Sequence, residues 1–511
     1  MVVNGQVLLH VAIGVPLVVC IGLAVMPRRT GDRLAPWAGV AASAFTLLAL
    51  LGAAVLAGRD RGGHFRLVTD AAWAPALDLR WHLGVDGISL PFAVLTALLV
   101  FCCSLYTLRV RPEAGRLRAF VAIVLLLEVG MVGTFLALNL LLFFLFFEIV
   151  LVPMWFLIAW WGDPHDQPGR TTAATTFILY TLLGSALMLV GFLVVHAQTG
   201  TFDMVELAAR GGEGISRGAQ LVAALAIVGG LAVKVPVWPL HSWLPDAHAK
   251  APTVGSVLLA GVLLKMGSYG LVRVAVPVVP DGVARLAPVL GGLAVVGIVY
   301  GALACLGQRD LKRLVAFSSV GHMGFVVLGV ATLTPAGLNG SVFAGLAHGV
   351  ITGLLFFLAG AIKDRHGTSD FDELGGGLYL RLPRLGALLT FAAIASLGLP
   401  GLAGFWGEFL ALIGSFDPAE LLRRPYFLVL LAIALVGLVL TAWYLLAVVR
   451  RVCQGEDTIG PRLAVLGDVT PHEVACWGPL VALTLLLGLW PGLVLTLVDP
   501  AVQALLAGAS L

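Results

Sequence analysis

The chain is 511 residues long, 59% hydrophobic and only 12% charged, with a formal net charge of +3. Soluble globular chains carry about 25% charged residues. Here a mean hydropathy of +1.01 leaves no stretch polar enough for a separate water-soluble domain, and no basic block points to a nucleic-acid partner.

The opening MVVNGQVLLHVAIG has no basic residue ahead of it, and Arg28, Arg29 and Arg33 follow the first apolar run. That order predicts an uncleaved first span rather than a signal peptide. Crossing a hydrocarbon core of about 30 Å takes about 20 apolar residues. Runs of that length fall at 6–26, 36–57, 85–108, 117–138, 139–161, 172–196, 219–238, 253–275, 285–306, 314–330, 337–362, 385–413, 425–449 and 473–498. The expectation is an all-α polytopic membrane protein with about fourteen transmembrane helices. The boundary at Ala137-Leu138-Asn139, between spans 4 and 5, is the least marked. With the N-terminus outside, the odd-numbered loops hold nearly twice as many Lys and Arg as the even-numbered ones. This predicts odd loops in the cytoplasm and both termini outside it.

Charges inside apolar runs are costly and rare without a function or partner. In chain order they are Glu128 in LLLEVGMVG, Glu148 in LFFEIVLVP, Lys234 after AALAIVGGLAV, Lys265 in VLLKMGSYG and Glu408 after GFWG. Structural salt bridges are one reading. Only five of the 31 basic residues are lysine, however, and both cations in this set are lysine. A fixed structural cation could be arginine, whereas a group that gains and loses a proton cannot be. The choice of lysine favours titration.

Two stretches cannot be straight helices. KVPVWPLHSWLPDAHAKAP carries Pro236, Pro239 and Pro245, and SLGLPGLAGFWGEF carries Pro400 among Gly398, Gly401 and Gly404. Proline removes a backbone donor and clashes with the preceding turn. Irregular backbone at membrane depth survives only where protein or water satisfies it. Span 7 is the fourth of the block 4–8 and span 12 the fourth of the block 9–13, and each break adjoins an ionisable residue. Paired breaks of this kind point to an ion path between two inverted five-helix repeats. The expected organisation is 1–115 (spans 1–3), 116–275 (first repeat), 276–450 (second repeat) and 451–511 (span 14). His241 and His248 flank the first break, while His322 and His348 lie within spans. Histidine titrates near neutrality and suits proton hand-over, although a lone membrane histidine is often a packing residue.

The six cysteines (20, 102, 103, 305, 453 and 476) make no CxxC or other metal-ligand spacing. They read as packing residues, with no iron–sulfur, haem c or zinc signature. LGLPGLAG follows no strand and lacks a GK[ST] ending, so it is not a phosphate loop.

The stretches KVPVWPLHSWLPDAHAKAPTVGSVLLAGVLLKMGSYGLVR and QRDLKRLVAFSSVGHMGF resemble the antiporter-like membrane subunits of respiratory complex I and of multisubunit cation/proton antiporters. The similarity runs over nearly the whole chain. LGVDGISLPF, LFFEIVLVPMWFLIAWWG and GFWGEF look most like the subunit M branch, the counterpart of mitochondrial subunit 4. In that branch the span-12 residue is glutamate, as Glu408 is, where the two sister subunits carry lysine. The chain also ends soon after span 14, without the long lateral helix of the largest sister. Asn139 departs from the aspartate of many relatives. The resemblance implies a proton-translocating subunit of NADH:quinone oxidoreductase in a bacterial plasma membrane. It would sit beside the two sister subunits, with NADH, FMN, Fe–S clusters and quinone held by partner subunits and no cofactor in this chain. It also implies roles: Glu148 and Lys234 as an ion pair that opens and closes, Lys265 as a central relay helped by His322 and His348, and Glu408 as the outlet. The alternative is the equivalent subunit of a sodium/proton antiporter or of a membrane-bound hydrogenase. A passive scaffold is the reading furthest from these.

Overall fold

The computed structural model describes residues 2–58, 64–112, 115–455 and 467–509. Arg59, Arg61 and Arg462, counted in the loop charges, lie outside the described residues. Thirteen of the described helices are long and apolar enough to cross a membrane. A further pair, Pro383–Ser396 and Ala403–Phe416, meets at Leu397–Leu402 and fills the twelfth run. The fourteen spans are therefore present. Spans 8 (Thr253–Val278) and 11 (Pro335–His366) are buried over their apolar length, while spans 1, 2, 6 and 13 turn many leucines and valines outward. That is the arrangement of a bundle solvated by lipid.

The uncertain boundary falls where the sequence places it, and Asn139 is its cause. Its backbone is extended, and its side-chain oxygen accepts the amides of Leu141 and Leu142, capping the helix that follows. Its amide nitrogen donates to Asp78 O at 3.0 Å, which ties down an antiparallel hairpin of β1 (Arg66–Ala74) and β2 (Leu79–Val85). The sequence reading treats these residues as loop, so the hairpin is an amendment to an all-helical fold.

Span 5 is itself interrupted at Val150, between Leu140–Ile149 and Leu151–Trp161. Pro153 withholds an amide there, so a third break adjoins an ionisable residue, Glu148. Span 7 stops at Lys234, and the Trp243 indole donates to the freed Val233 O at 3.1 Å. The fourteenth run is cut at Trp490-Pro491. Pro471–Leu489 is followed by a separate helix, Gly492–Gly508, which packs on Met204–Arg210 and on the end of span 8. Three cations counted with the loops are buried in spans: Lys312 at the start of span 10 (Leu311–Ala331), Arg365 at the end of span 11 and Arg273 near the end of span 8. Two come from the odd-numbered side and one from the even, so the charge bias stands.

Candidate functional site

Span 8 is wound unevenly, with π turns at Leu259–Leu263 and Leu271–Ala275 on either side of Lys265. Single π turns inside α-helices mark functional positions. Lys265 is fully buried and its ammonium is held by two acceptors. It donates to Ala260 O within the first wide turn and to His348 Nδ1 at 2.5 Å. His348 lies on span 11, and Gly345 one turn earlier faces the Phe92 ring, where a Cβ would lie 3.3 Å away, with the lysine stem next to it.

Beyond His348 the contacts reach span 10. The rings of His348 and His322 meet edge to face with centroids 5.7 Å apart. A cavity of about 20 Å³ lies between His348, His322, Ser396 and Glu408. That is room for one water molecule. His322 Nδ1 is 2.8 Å from Glu408 Oε1, and its Nε2 is 2.9 Å from Ser396 Oγ. With Glu408 ionised, His322 donates through Nδ1 and accepts the Ser396 hydroxyl through Nε2, which fixes its tautomer. The break in span 12 makes this possible by putting Ser396 on one half-helix and Glu408 on the other. Gly407 brings the second half close to span 11, since a Cβ there would lie 2.3 Å from Ala344 N.

Lys234 has a different surrounding. Its ammonium sits over the rings of Phe147 at 5.2 Å and Phe177 at 5.7 Å, and it makes no hydrogen bond. Glu148 faces this lysine and the Ser185 hydroxyl, yet no ion pair within 4.0 Å joins the two. Its Oε1 is buried without a partner. The pair expected between them is apart in this structure. Lys234 backs onto span 8 at Gly267, where a Cβ would lie 3.1 Å from the lysine Cβ.

The two histidines of the break diverge. His241 packs edge-on to Tyr300 at 4.9 Å, away from Lys265. His248 stacks flat on Phe356 at 4.5 Å, with neither ring nitrogen hydrogen-bonded. Lys312 and Lys265 are the charges that face it. Lys312, which sequence reasoning left in a loop, donates to Ala251 O at 2.8 Å and lines a cavity of about 140 Å³ with Lys363, Asp364, Asp163 and Tyr106. Glu128 stands apart from this line. It lies in the middle of span 4 (Leu117–Leu136) and faces Thr46 of span 2 with neither oxygen hydrogen-bonded.

The family model for the transmembrane part of NADH:quinone oxidoreductase and Mrp antiporters matches residues 137–440. NADH-quinone oxidoreductase subunit M of Rhodobacter capsulatus is 40% identical over 98% of this chain and 96% of its own length. The chain belongs to the subunit M family of NADH-quinone oxidoreductases. NAD(P)H-quinone oxidoreductase chain 4 1 of Synechococcus sp. (strain JA-3-3Ab) is 41% identical over 96% of this chain and 91% of its own. Among solved structures, a chain of respiratory complex I from Thermus thermophilus with bound NADH superposes with a TM-score of 0.85 at 30% identity, covering 98% of this chain and 99% of that one. A chain of the Mrp complex from Dietzia sp. shares the fold, with a TM-score of 0.82 at 23% identity over 98% of this chain and 99% of that one. The stretch matched by the NADH:quinone oxidoreductase/Mrp antiporter family model holds Glu148, Lys234, Lys265, His322, His348 and Glu408. It leaves out Glu128.

Proposed function

We propose that this chain is a proton-translocating membrane subunit of an NADH:quinone oxidoreductase. Its path runs from Glu148 and Lys234 through Lys265, His348 and His322 to Glu408. The observation that carries the reading is the nearly continuous contact from Lys265 through His348 and a one-water cavity to Glu408. Lys265 gives a proton to His348 Nδ1, and the imidazole releases the one on Nε2 toward the water. The water then protonates Glu408, which His322 and Ser396 hold in place. The first transfer spans one hydrogen bond, and a single water in the cavity would bring the other two within the reach that proton transfer requires.

Entry is supplied from the face carrying the odd-numbered loops, which we place in the cytoplasm. The cavity beside Lys312 and Asp163 opens there, and His248 stands between it and Lys265. A carboxylate within about 4–6 Å strengthens a lysine's hold on its proton, and withdrawing it releases that proton. The open Glu148–Lys234 geometry supports such a movement. The energy comes from quinone reduction in partner subunits, which hold NADH, FMN, Fe–S clusters and quinone, and the two sister antiporter-like subunits are direct neighbours. Relatives about 40% identical over nearly the whole chain carry the NADH–quinone name, whereas the Mrp likeness is one of fold, so the oxidoreductase reading is preferred to the antiporter.

The test is Lys265→Met in the intact complex reconstituted in proteoliposomes. NADH-driven proton uptake should collapse with the subunit still assembled, and unchanged uptake would overturn the reading.

A further inference from the structure

Span 8 carries a second polar line. Tyr269 and Arg273 follow Lys265 at four and eight residues, on the same helix face. They lead toward the opposite membrane face, the one bearing the β-hairpin. At that end a cavity of about 140 Å³ opens beside the exposed His64 and reaches inward to Asp86. Only the Arg273 and Tyr269 levels separate its floor from Lys265, a rise of about 12 Å.

Each group along this line is held by fixed partners. The Arg273 guanidinium contacts Asp86 Oδ2, lies 4.7 Å from the centre of the Phe65 ring and is buried. Arginine does not deprotonate in proteins. Asp86 is locked on its other oxygen, which accepts the amides of Ile88 and Ser89 at 3.1 and 2.9 Å. Tyr269 donates its hydroxyl to Phe135 O at 3.2 Å. Rings close around it, Phe135 at 5.2 Å and Phe92 at 6.2 Å, and these two stack on each other at 5.4 Å. The cavity is itself roofed: Gly87 lets Gly492–Gly508 approach so closely that a Cβ there would fall 1.7 Å from Leu497 O.

We infer that the Arg273–Asp86 pair is an electrostatic plug closing this end of span 8, so that Lys265 exchanges protons sideways with His348 and never directly with the cavity beside Asp86. The inference rests on the proposed path, because a pump whose central lysine opened to this cavity would short-circuit. A guanidinium that keeps its proton, bound to a carboxylate whose two oxygens are both engaged, offers an incoming proton no free acceptor. It also explains why the one buried cation on this helix with a permanent carboxylate partner is an arginine, while the relay cation is a lysine.

The experiment measures passive proton flux into proteoliposomes holding the intact complex, driven by a potassium diffusion potential with no NADH present. Arg273→Gln, and the double variant Asp86→Asn with Arg273→Gln, should each raise the flux about threefold or more, with NADH oxidation near wild type and less stimulated by uncoupler. The double variant leaves no unpaired buried charge, so its assembly separates the plug from a fastening role. Wild-type tightness in the double variant overturns the inference, and so does failure of both variants to assemble. Adding Lys265→Met to the leaky variant should restore tightness. If the leak persists there, the plug stands but the path through Lys265 falls.

Discussion

His348 Nδ1 accepts from the Lys265 ammonium at 2.5 Å, which turns the other edge of the same imidazole toward the cavity it shares with Glu408. One ring thus joins a lysine on span 8 to a carboxylate on span 12. His348→Ala should lower NADH-driven proton pumping about tenfold or more, the scale on which a positioned proton carrier acts. Dye-quench assays on proteoliposomes check this, and the subunit should still co-purify with the complex.

Lys234→Arg tests whether that cation titrates. Arginine keeps a positive charge between Phe147 and Phe177 but never gives up its proton. Assembly should be retained and pumping should fall about tenfold. Full pumping would make Lys234 a cation–π fastener.

Ser396 acts through His322. Ser396→Ala removes the hydrogen bond to Nε2 and frees the ring's tautomer. A neutral hydrogen bond contributes about 0.5–1.5 kcal/mol, so pumping should slow roughly two- to tenfold with a shifted pH profile. An unchanged profile would leave Ser396 a packing residue.

Asp163, at the mouth of the Lys312 cavity, gives a pH prediction. Burial pushes its carboxyl up, but the Lys363 ammonium at 3.0 Å and the His165 amide outweigh that and hold it below the usual carboxylate range. A depressed folded value stabilises above the unfolded pKa of about 3.9, and that stability is lost as pH falls through the folded value. The difference in Tm between wild type and Asp163→Asn should stay constant from about pH 5 to 8 and close below about pH 4.

The Arg365–Glu473 pair is bidentate, at 2.8 and 2.9 Å, and joins the end of span 11 to the start of span 14. Glu473→Ala should cost about 3–5 kcal/mol, because it leaves a buried guanidinium unpaired. Arg365→Leu with Glu473→Leu should recover most of it. Denaturant unfolding in micelles measures both.

The spans, two of the breaks and the principal ionisable residues were legible because each has a one-dimensional signature: an apolar run, a cluster of Pro and Gly, or a charge where lipid forbids one. Direction was not legible. Nothing in LLLEVGMVG says that Glu128 faces Thr46, since that depends on which neighbour packs on which side of span 4. Lys312 and Arg273 lie near the ends of their runs and read as loop charges; only burial by other helices reveals them. The π turns leave no mark because they shift hydrogen bonds without changing residue types. Ser396 looked like any helical serine until the break in span 12 folded it toward His322. The Glu148–Lys234 pairing came from resemblance, and its open geometry was not foreseen.

The cavity between His348 and Glu408 has room for about one water. A metal cation crosses such a point only with a shell of oxygen ligands around it, and a space for one water has no room for that shell. A proton needs no room, since it is handed from one oxygen or nitrogen to the next while the atoms stay in place. On the proposed path such a constriction would favour a proton over a hydrated metal ion, since charge would cross here without any particle travelling the distance.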